Sequence, residues 1–161
     1  EFWTELCTRA VEFAARKGGR LLVTTSPRTG KSVEQKIRHR LLELGLPSEQ
    51  IDLYSSGKAQ PITDLLKTTG VVIATFESVS MISEGIASGA LAVAAYSGEL
   101  AKSARITRFL QKQMEAKRVA LWDVTAHSAP QIDSLVPLQT CWSDTLWAGI
   151  MKTGLVPEQK L

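Results

Sequence analysis

The stretch VVIATFESVSMISEGIASGALAVAAY, residues 71–96, decides the fold of this chain. It begins with VVIAT at 71–75, a continuous apolar run that is typical of a strand buried on both faces. A predicted helix begins near Ser78 and ends near Ser88, and LAVAAY at 91–96 is a second apolar strand. Two buried strands joined by a helix predict a right-handed β-α-β unit with parallel strands.

The same alternation extends toward the N-terminus. RLLVTT at 20–25 and IDLYS at 51–55 are short, partly β-branched runs that predict two further strands. Apolar residues at helical spacing predict the helices of this half at 2–17, 33–44 and 62–69.

The alternation also extends toward the C-terminus. A helix is predicted at 103–116, a strand (VALWD) at 119–123 and a last helix near 141–152. Strands that alternate with helices predict an α/β fold. We therefore expect residues 1–161 to form one Rossmann-like domain, a parallel sheet of about five to six strands with helices on both faces.

Composition narrows the class of protein. Of 161 residues, 44% are hydrophobic and 22% are charged, which is typical of one globular domain and excludes a disordered or low-complexity chain. The longest apolar run, at 91–96, is far too short for a membrane-spanning helix. No secretory signal is visible at the N-terminus. We expect a cytoplasmic location, and a peripheral membrane or protein partner stays open.

Cysteines, histidines and basic residues give little sign of a metal or nucleic-acid site. Cys7 and Cys141 are predicted to be free, buried thiols, and His39 and His127 are too remote in sequence to suggest a metal site. The formal charge is +3, and no aromatic residues interleave with the basic clusters, so no nucleic-acid partner is expected.

A first candidate phosphate site is TSPRTGKS at 25–32, between a strand and a helix. Its Gly-Lys-Ser ending resembles a P-loop, with Asp123 as a candidate for holding magnesium, but Thr25 stands where that motif needs glycine and Pro27 removes an amide donor. The loop can instead hold an anion near a helix N-terminus, or be an exposed loop of capping residues. The side chains concerned are Ser26, Arg28, Thr29 and Lys31.

A second candidate phosphate site is ESVSMISEGIASG at 77–89, which follows the clearest strand. Ser78 or Ser80 can cap the helix, and its first amides can face a diphosphate. Glu84 lies four residues after Ser80, where a carboxylate can accept hydrogen bonds from a ribose diol. A plain helix cap followed by an acidic residue explains the pattern equally well.

Three segments carry a resemblance to a known family. RLLVTTSPRTGKSVEQKIRHRL, VVIATFESVSMISEGIASG and ARITRFLQKQMEAKRV resemble the second half of the mitochondrial-fission-protein-like family. This family includes a plant mitochondrial fission factor and many bacterial proteins. It is similar to the GT-B glycosyltransferases, whose two Rossmann-like domains close over a nucleotide-sugar.

The resemblance implies a donor-binding domain of a metal-independent, GT-B-like glycosyltransferase. Its substrate is a nucleoside diphosphate-sugar, with no permanently bound cofactor. Helix-start amides and Arg28 or Lys31 bind the diphosphate, Glu84 holds the ribose, and the loop from Ser55 to Gly57 approaches the base. The residues that the resemblance assigns to donor binding are Ser26, Arg28, Thr29, Lys31, Ser55, Gly57, Ser78, Ser80, Met81 and Glu84.

Three departures from the family keep other functions open, and one of them is Phe76-Glu77, which replaces the usual small or acidic pair before SVSM. Pro27 stands where the family tends to have arginine, and SSGKAQPITDLL lacks the family's Asn and Tyr after the second strand. The alternatives are a non-enzymatic protein-interaction or recruitment domain on the same fold and a degenerate P-loop protein. We also expect the chain to be the C-terminal half of a longer protein, with a missing N-terminal domain that supplies the general base; no catalytic residue is assigned here.

Overall fold

The computed structural model describes residues 1–57, 60–98 and 103–139. The last predicted helix, near 141–152, and Cys141 lie outside the described residues.

Helices and strands alternate along the described chain. The helices are α1 (Phe2–Arg16), α2 (Lys31–Glu43), α3 (Ile62–Leu66), α4 (Val79–Ala87) and α5 (Ala104–Glu115). The strands are β1 (Val23–Thr24), β2 (Ile51–Asp52), β3 (Val71–Thr75), β4 (Leu91–Tyr96) and β5 (Val119–Asp123). Short 3-10 turns lie at Ser48–Gln50, Tyr54–Ser56 and Val124–Ala126.

The larger sheet has three parallel strands in the order β3-β4-β5. In its register Ile73 lies beside Val93, which in turn lies beside Ala120. The four central residues of β4, 92–95, are buried, so this strand is covered on both faces. The continuous apolar runs therefore predicted the three strands and their bounds correctly.

Helices cover both faces of the larger sheet. Alternate residues of β4 point to opposite sides: Ala92 and Ala94 pack in a cluster with α4 and α5, whereas Val93 and Ala95 pack with Phe13 of α1. This arrangement confirms the predicted α/β class with helices on both faces.

The smaller sheet is shorter than predicted. β1 and β2 are parallel and pair at only two positions, Val23 with Ile51 and Thr24 with Asp52. Beyond them the hydroxyl Oγ1 of Thr25 accepts from the amide of Tyr54 at 2.9 Å, so a side chain replaces the backbone ladder. The strands predicted at 20–25 and 51–55 are thus too long, and the described strands form two sheets instead of one sheet of five to six strands.

Helix α1 contributes to the cores of both sheets. Cys7 packs with Ile37 and Leu41 of α2 and with Ile51 of β2, whereas Phe13 packs on the larger sheet. Cys7 is free and buried as predicted, and its burial raises the pKa of the thiol to about 11. Across the described ranges, no helix has the length and apolar character needed to cross a membrane.

Candidate functional site

The carboxyl ends of β1, β2 and β3 carry the polar loops that the sequence singles out. The first loop connects β1 to α2, the second follows β2 and contains the Tyr54–Ser56 turn, and the third connects β3 to α4. In open parallel α/β folds, ligands bind at this end of the strands. These three loops therefore define the candidate site.

A buried carboxylate joins the first two loops. Glu34, in the first turn of α2, exposes only 3% of its surface and is the one buried charged side chain in the described part of the chain. Its Oε1 accepts from the hydroxyl of Thr25. The amide of Ser55 donates to both carboxylate oxygens, at 3.4 and 3.3 Å. Because Thr25 also accepts from the Tyr54 amide, Thr25 and Glu34 fix both loops to each other.

The surroundings of Glu34 favour its charged form. Hydrogen bonds from Ser55 and Thr25 lower the pKa of this carboxyl below its ordinary value, against the opposing effect of burial. The position near the start of α2 acts in the same direction, because a helix N-terminus stabilises negative charge. Glu34 is thus an internal anion whose carboxylate is hydrogen-bonded by Thr25 and Ser55 of the two loops.

The first loop does not have the open form of a phosphate cradle. The amide of Thr29 donates to the carbonyl of Ser26 at 2.9 Å, and the amide of Ser26 donates to the hydroxyl of Thr29 at 3.2 Å. A P-loop instead points its amides inward at phosphate. Lys31 belongs to α2 and not to the loop, and it is exposed, as are Ser26 and Arg28.

The start of α4 is arranged differently. Ser78 occupies the cap position, but its hydroxyl pairs with Oγ1 of Thr75 at 2.8 Å and makes no capping bond to the helix. The prediction that the Ser78 side chain caps α4 is therefore wrong, because its hydroxyl forms a hydrogen bond with Thr75 at the end of β3 instead. The first amides of a helix have no partner within it, so those of residues 79–81 point out of α4 at the end of β3.

The side chains of the first turns of α4 divide between surface and core. Ser80 and Glu84, one turn apart, are both exposed. The Met81 side chain is half-buried and packs against the clusters of α5 and α3, so the polar group that it offers to a ligand is its backbone amide.

The predicted site residues therefore form two groups. Six lie at the ends of the smaller sheet: Ser26, Arg28, Thr29, Lys31, Ser55 and Gly57. Four lie at the end of β3: Ser78, Ser80, Met81 and Glu84. Within the described ranges, no hydrogen bond or ion pair connects the two groups. Gly57 has φ of 67° and closes the turn after β2, a conformation that favours glycine.

Glu34 is the part of the site that the sequence patterns did not predict. Glu34 shares a helix face with Ile37 and Leu41, three and seven residues later, and this acid on an apolar stripe was the available signal. Asp123, at the end of β5, accepts from the amide and hydroxyl of Thr125 at 2.9 and 2.6 Å, which lowers the pKa of its carboxyl. No group of three or more His, Cys, Asp or Glu residues suited to a metal ion occurs among the residues described.

Comparison with known proteins identifies a family for this chain. No curated protein and no solved structure matches the chain. The family model for mitochondrial fission ELM1 matches residues 3–141, which span α1, all five described strands and the loops of the candidate site. The chain therefore belongs to the mitochondrial fission ELM1 family.

Proposed function

We propose that this domain binds the nucleoside diphosphate of a nucleotide-sugar at the start of α4, as the donor-binding domain of a GT-B-like glycosyltransferase. The observation that carries the proposal is the engagement of the Ser78 hydroxyl by Thr75, which leaves the first amides of α4 without a capping side chain. Such amides, together with the helix dipole, bind phosphate groups.

Each exposed polar group near this helix has a role in the proposal. The amides of residues 79–81 donate to the diphosphate, and the exposed carboxylate of Glu84 accepts from the ribose diol. Arg28 and Lys31, both exposed, stabilise charge on the leaving diphosphate without a metal ion. This arrangement requires a Rossmann-like order in which β1 lies beside β3, so that the first and third loops face one crevice.

The experiment combines a ligand panel with a charge test at the helix start. Thermal unfolding is measured with UDP, GDP, ADP and CMP, with their sugar conjugates, and with ATP plus magnesium. A ligand at a hundredfold its dissociation constant adds about 2.7 kcal/mol, which raises Tm of a domain of this size by roughly 5–10 °C. A magnesium-independent shift with one nucleoside diphosphate and its sugar is the expected result.

The Ser80→Asp substitution separates binding from stability. An acidic side chain in the first turn stabilises a helix by about 0.3–1 kcal/mol, so the free protein is expected to unfold at the same or a higher Tm. The same charge repels a diphosphate, so the ligand-induced shift is expected to vanish. Ser134→Asp adds an equal charge in an exposed turn of the segment after β5 and is the matched control. Retention of the full shift by Ser80→Asp would refute the site.

Glu84→Gln tests the ribose contact. This substitution is expected to weaken the binding of the nucleoside diphosphate and to leave the binding of inorganic pyrophosphate unchanged. Glu49→Gln, in the exposed turn before β2, is its control.

A protein-interaction domain on the same fold is the second candidate function. It is favoured by the first loop, where the Ser26 and Thr29 amides bond within the loop and Glu34 supplies the anion. The absence of a shift with any nucleotide or nucleotide-sugar would favour this second function. A shift with ATP and magnesium alone, lost in Lys31→Ala, would instead favour the P-loop hypothesis.

A further inference from the structure

One face of α5 carries a stripe of three cations. Arg105, Arg108 and Lys112 are all exposed. Their spacing of three and four residues places them on one side of the helix. At 1.5 Å per residue the stripe extends about 10 Å along the helix axis. We call these three residues the α5 stripe.

Among the residues that the structure describes, the α5 stripe has no paired counter-charge. Some cations elsewhere pair within their own helices: the partly buried Arg9 bonds to Glu5 and Glu12, for example. No carboxylate of the described residues lies within 4.0 Å of the stripe's charged groups. The one acid of α5, Glu115, instead accepts from Gln111 at 3.2 Å. Within the described ranges, the positive charge of the stripe is therefore not neutralised by an ion pair.

A shallow groove accompanies the α5 stripe. The three cations line it together with Ala104 and Phe109. Phe109 is half-buried, with the rest of its surface packed toward the cluster of α4 and α5. The surface thus combines three separated positive charges with one small apolar area, which suits an acidic chain segment that carries an apolar side chain.

The packing of α5 argues against a lipid surface. Interfacial helices bury their apolar face in the bilayer, but the apolar face of α5, with Ile106 and Leu110, is packed against the sheet. Three charges without an inserted apolar face bind an anionic bilayer only weakly. In the described part of this surface, no exposed aromatic platform is present on which nucleic-acid bases could stack.

We propose that the α5 stripe docks an acidic segment of a partner protein. Carboxylates of that segment contact Arg105, Arg108 and Lys112, and one apolar side chain enters the groove beside Phe109. This surface is separate from the residues assigned to the nucleotide, so the inference goes beyond the proposed function and does not depend on it.

The test uses a designed peptide as a probe. A fluorescein-labelled helical peptide of about 16 residues carries glutamates at positions i, i+3 and i+7 and one leucine on the same face. Its binding is measured by fluorescence anisotropy at low and at physiological salt. We expect saturable binding that weakens with salt and a roughly fivefold loss when the peptide leucine is replaced by serine.

Charge reversals on two helices locate the surface. Arg105→Glu with Arg108→Glu is expected to weaken binding at least about tenfold. Lys36→Glu with Arg38→Glu makes the same total charge change on the exposed side of α2, and it is expected to change binding less than about twofold. The pair Arg105→Gln and Arg108→Gln provides a milder version, and unchanged circular dichroism and Tm show that each variant is folded.

Four outcomes would overturn the inference. The first is that the peptide does not bind, and the second is that the α2 and α5 reversals weaken its binding equally. The third is that replacing the peptide leucine does not change the affinity. The fourth is that the protein binds another anionic surface more tightly than the peptide. The last is measured with phosphatidylserine vesicles and with single-stranded RNA. Tighter, α5-dependent binding to either of them would assign the stripe to lipid or to nucleic acid instead of to a protein.

Discussion

Replacing Glu34 with glutamine changes the contact that joins the loops after β1 and β2. Glutamine keeps the size of the side chain and one acceptor oxygen, but it loses the charge that the hydroxyl of Thr25 and the amide of Ser55 stabilise. Alanine removes both acceptors and leaves these donors unsatisfied in a partly buried place. The two substitutions therefore grade the contribution of the carboxylate.

The structure sets the size of each effect. Hydrogen bonds to charged groups contribute about 1.5–3 kcal/mol and neutral ones about 0.5–1.5, so Glu34→Gln is expected to cost about 1 kcal/mol. Each unsatisfied donor costs about 1–3 kcal/mol, and water reaches part of this region, so Glu34→Ala is expected to cost about 2–4 kcal/mol. In a domain of this size these losses lower Tm by roughly 2–4 °C and 5–15 °C.

The stability difference also depends on pH. The pKa of Glu34 is lower in the folded protein than its ordinary value of 4.5, so the unfolded state binds the proton first as pH falls. The stabilisation by the carboxylate is therefore complete well above pH 4.5 and is lost as pH falls through the lower pKa of the folded state. The difference in the free energy of unfolding between wild type and Glu34→Gln is therefore expected to narrow as pH falls below 4.5.

The assay is urea unfolding at a series of pH values, with hydrogen exchange at single amides. Exchange of the Tyr54 and Ser55 amides is expected to accelerate in Glu34→Gln at pH 7, because they lie at the Thr25–Glu34 contact. Glu49→Gln, an exposed acid outside this contact, is the control and is expected to change neither quantity. Equal stability of wild type and Glu34→Gln at pH 7, or a gap that stays constant to pH 3, would refute the reasoning.

Two further predictions concern the core. Because burial raises the pKa of Cys7 to about 11, iodoacetamide at pH 8 is expected to label this thiol only as the protein unfolds. Labelling is measured by mass spectrometry in a variant whose other cysteine is serine. Fast labelling of the folded protein would contradict the packing of Cys7. In Gly85→Ala the new methyl group would lie 3.1 Å from Val72, an overpacking that costs about 1–3 kcal/mol against a helix-propensity gain of about 1 kcal/mol. Adding Val72→Ala removes the two γ-methyl contacts and keeps the Cβ contact, so it is expected to relieve part of the clash. Urea unfolding should then show the double variant more stable than the two single losses predict, and simple additivity would contradict this contact.

The strands that the sequence predicted well are those whose environment is uniform. β3, β4 and β5 pair with their neighbours along most of their length and read as apolar runs, so local composition reveals their bounds. β1 and β2 end where the hydroxyl of Thr25 accepts a hydrogen bond from the Tyr54 amide, a contact between residues 29 positions apart. No local pattern encodes such a contact, and the predicted strands were therefore too long.

In the candidate site too, the features that local sequence encodes could be predicted, and those set by contacts between distant residues could not. The loop after β3 and the exposed positions of Ser80 and Glu84 follow from a strand directly joined to a helix. The role of Glu34 does not, because an acid in the first turn of a helix is ordinarily explained by the helix dipole and solvent. Its position in line with Ile37 and Leu41 indicated burial, but its partners come from β1 and from the turn after β2.

The internal anion at Glu34 also bears on which loop binds phosphate. The carboxylate accepts from the Ser55 amide and the Thr25 hydroxyl, so a phosphate held by the first two loops would experience like-charge repulsion from this group at close range. The start of α4 has free amides and no buried acid. Glu34→Gln is therefore expected to leave diphosphate binding at α4 nearly unchanged. If the first two loops held the phosphate, the same substitution would tighten binding, and calorimetric titration of wild type and variant distinguishes the two sites.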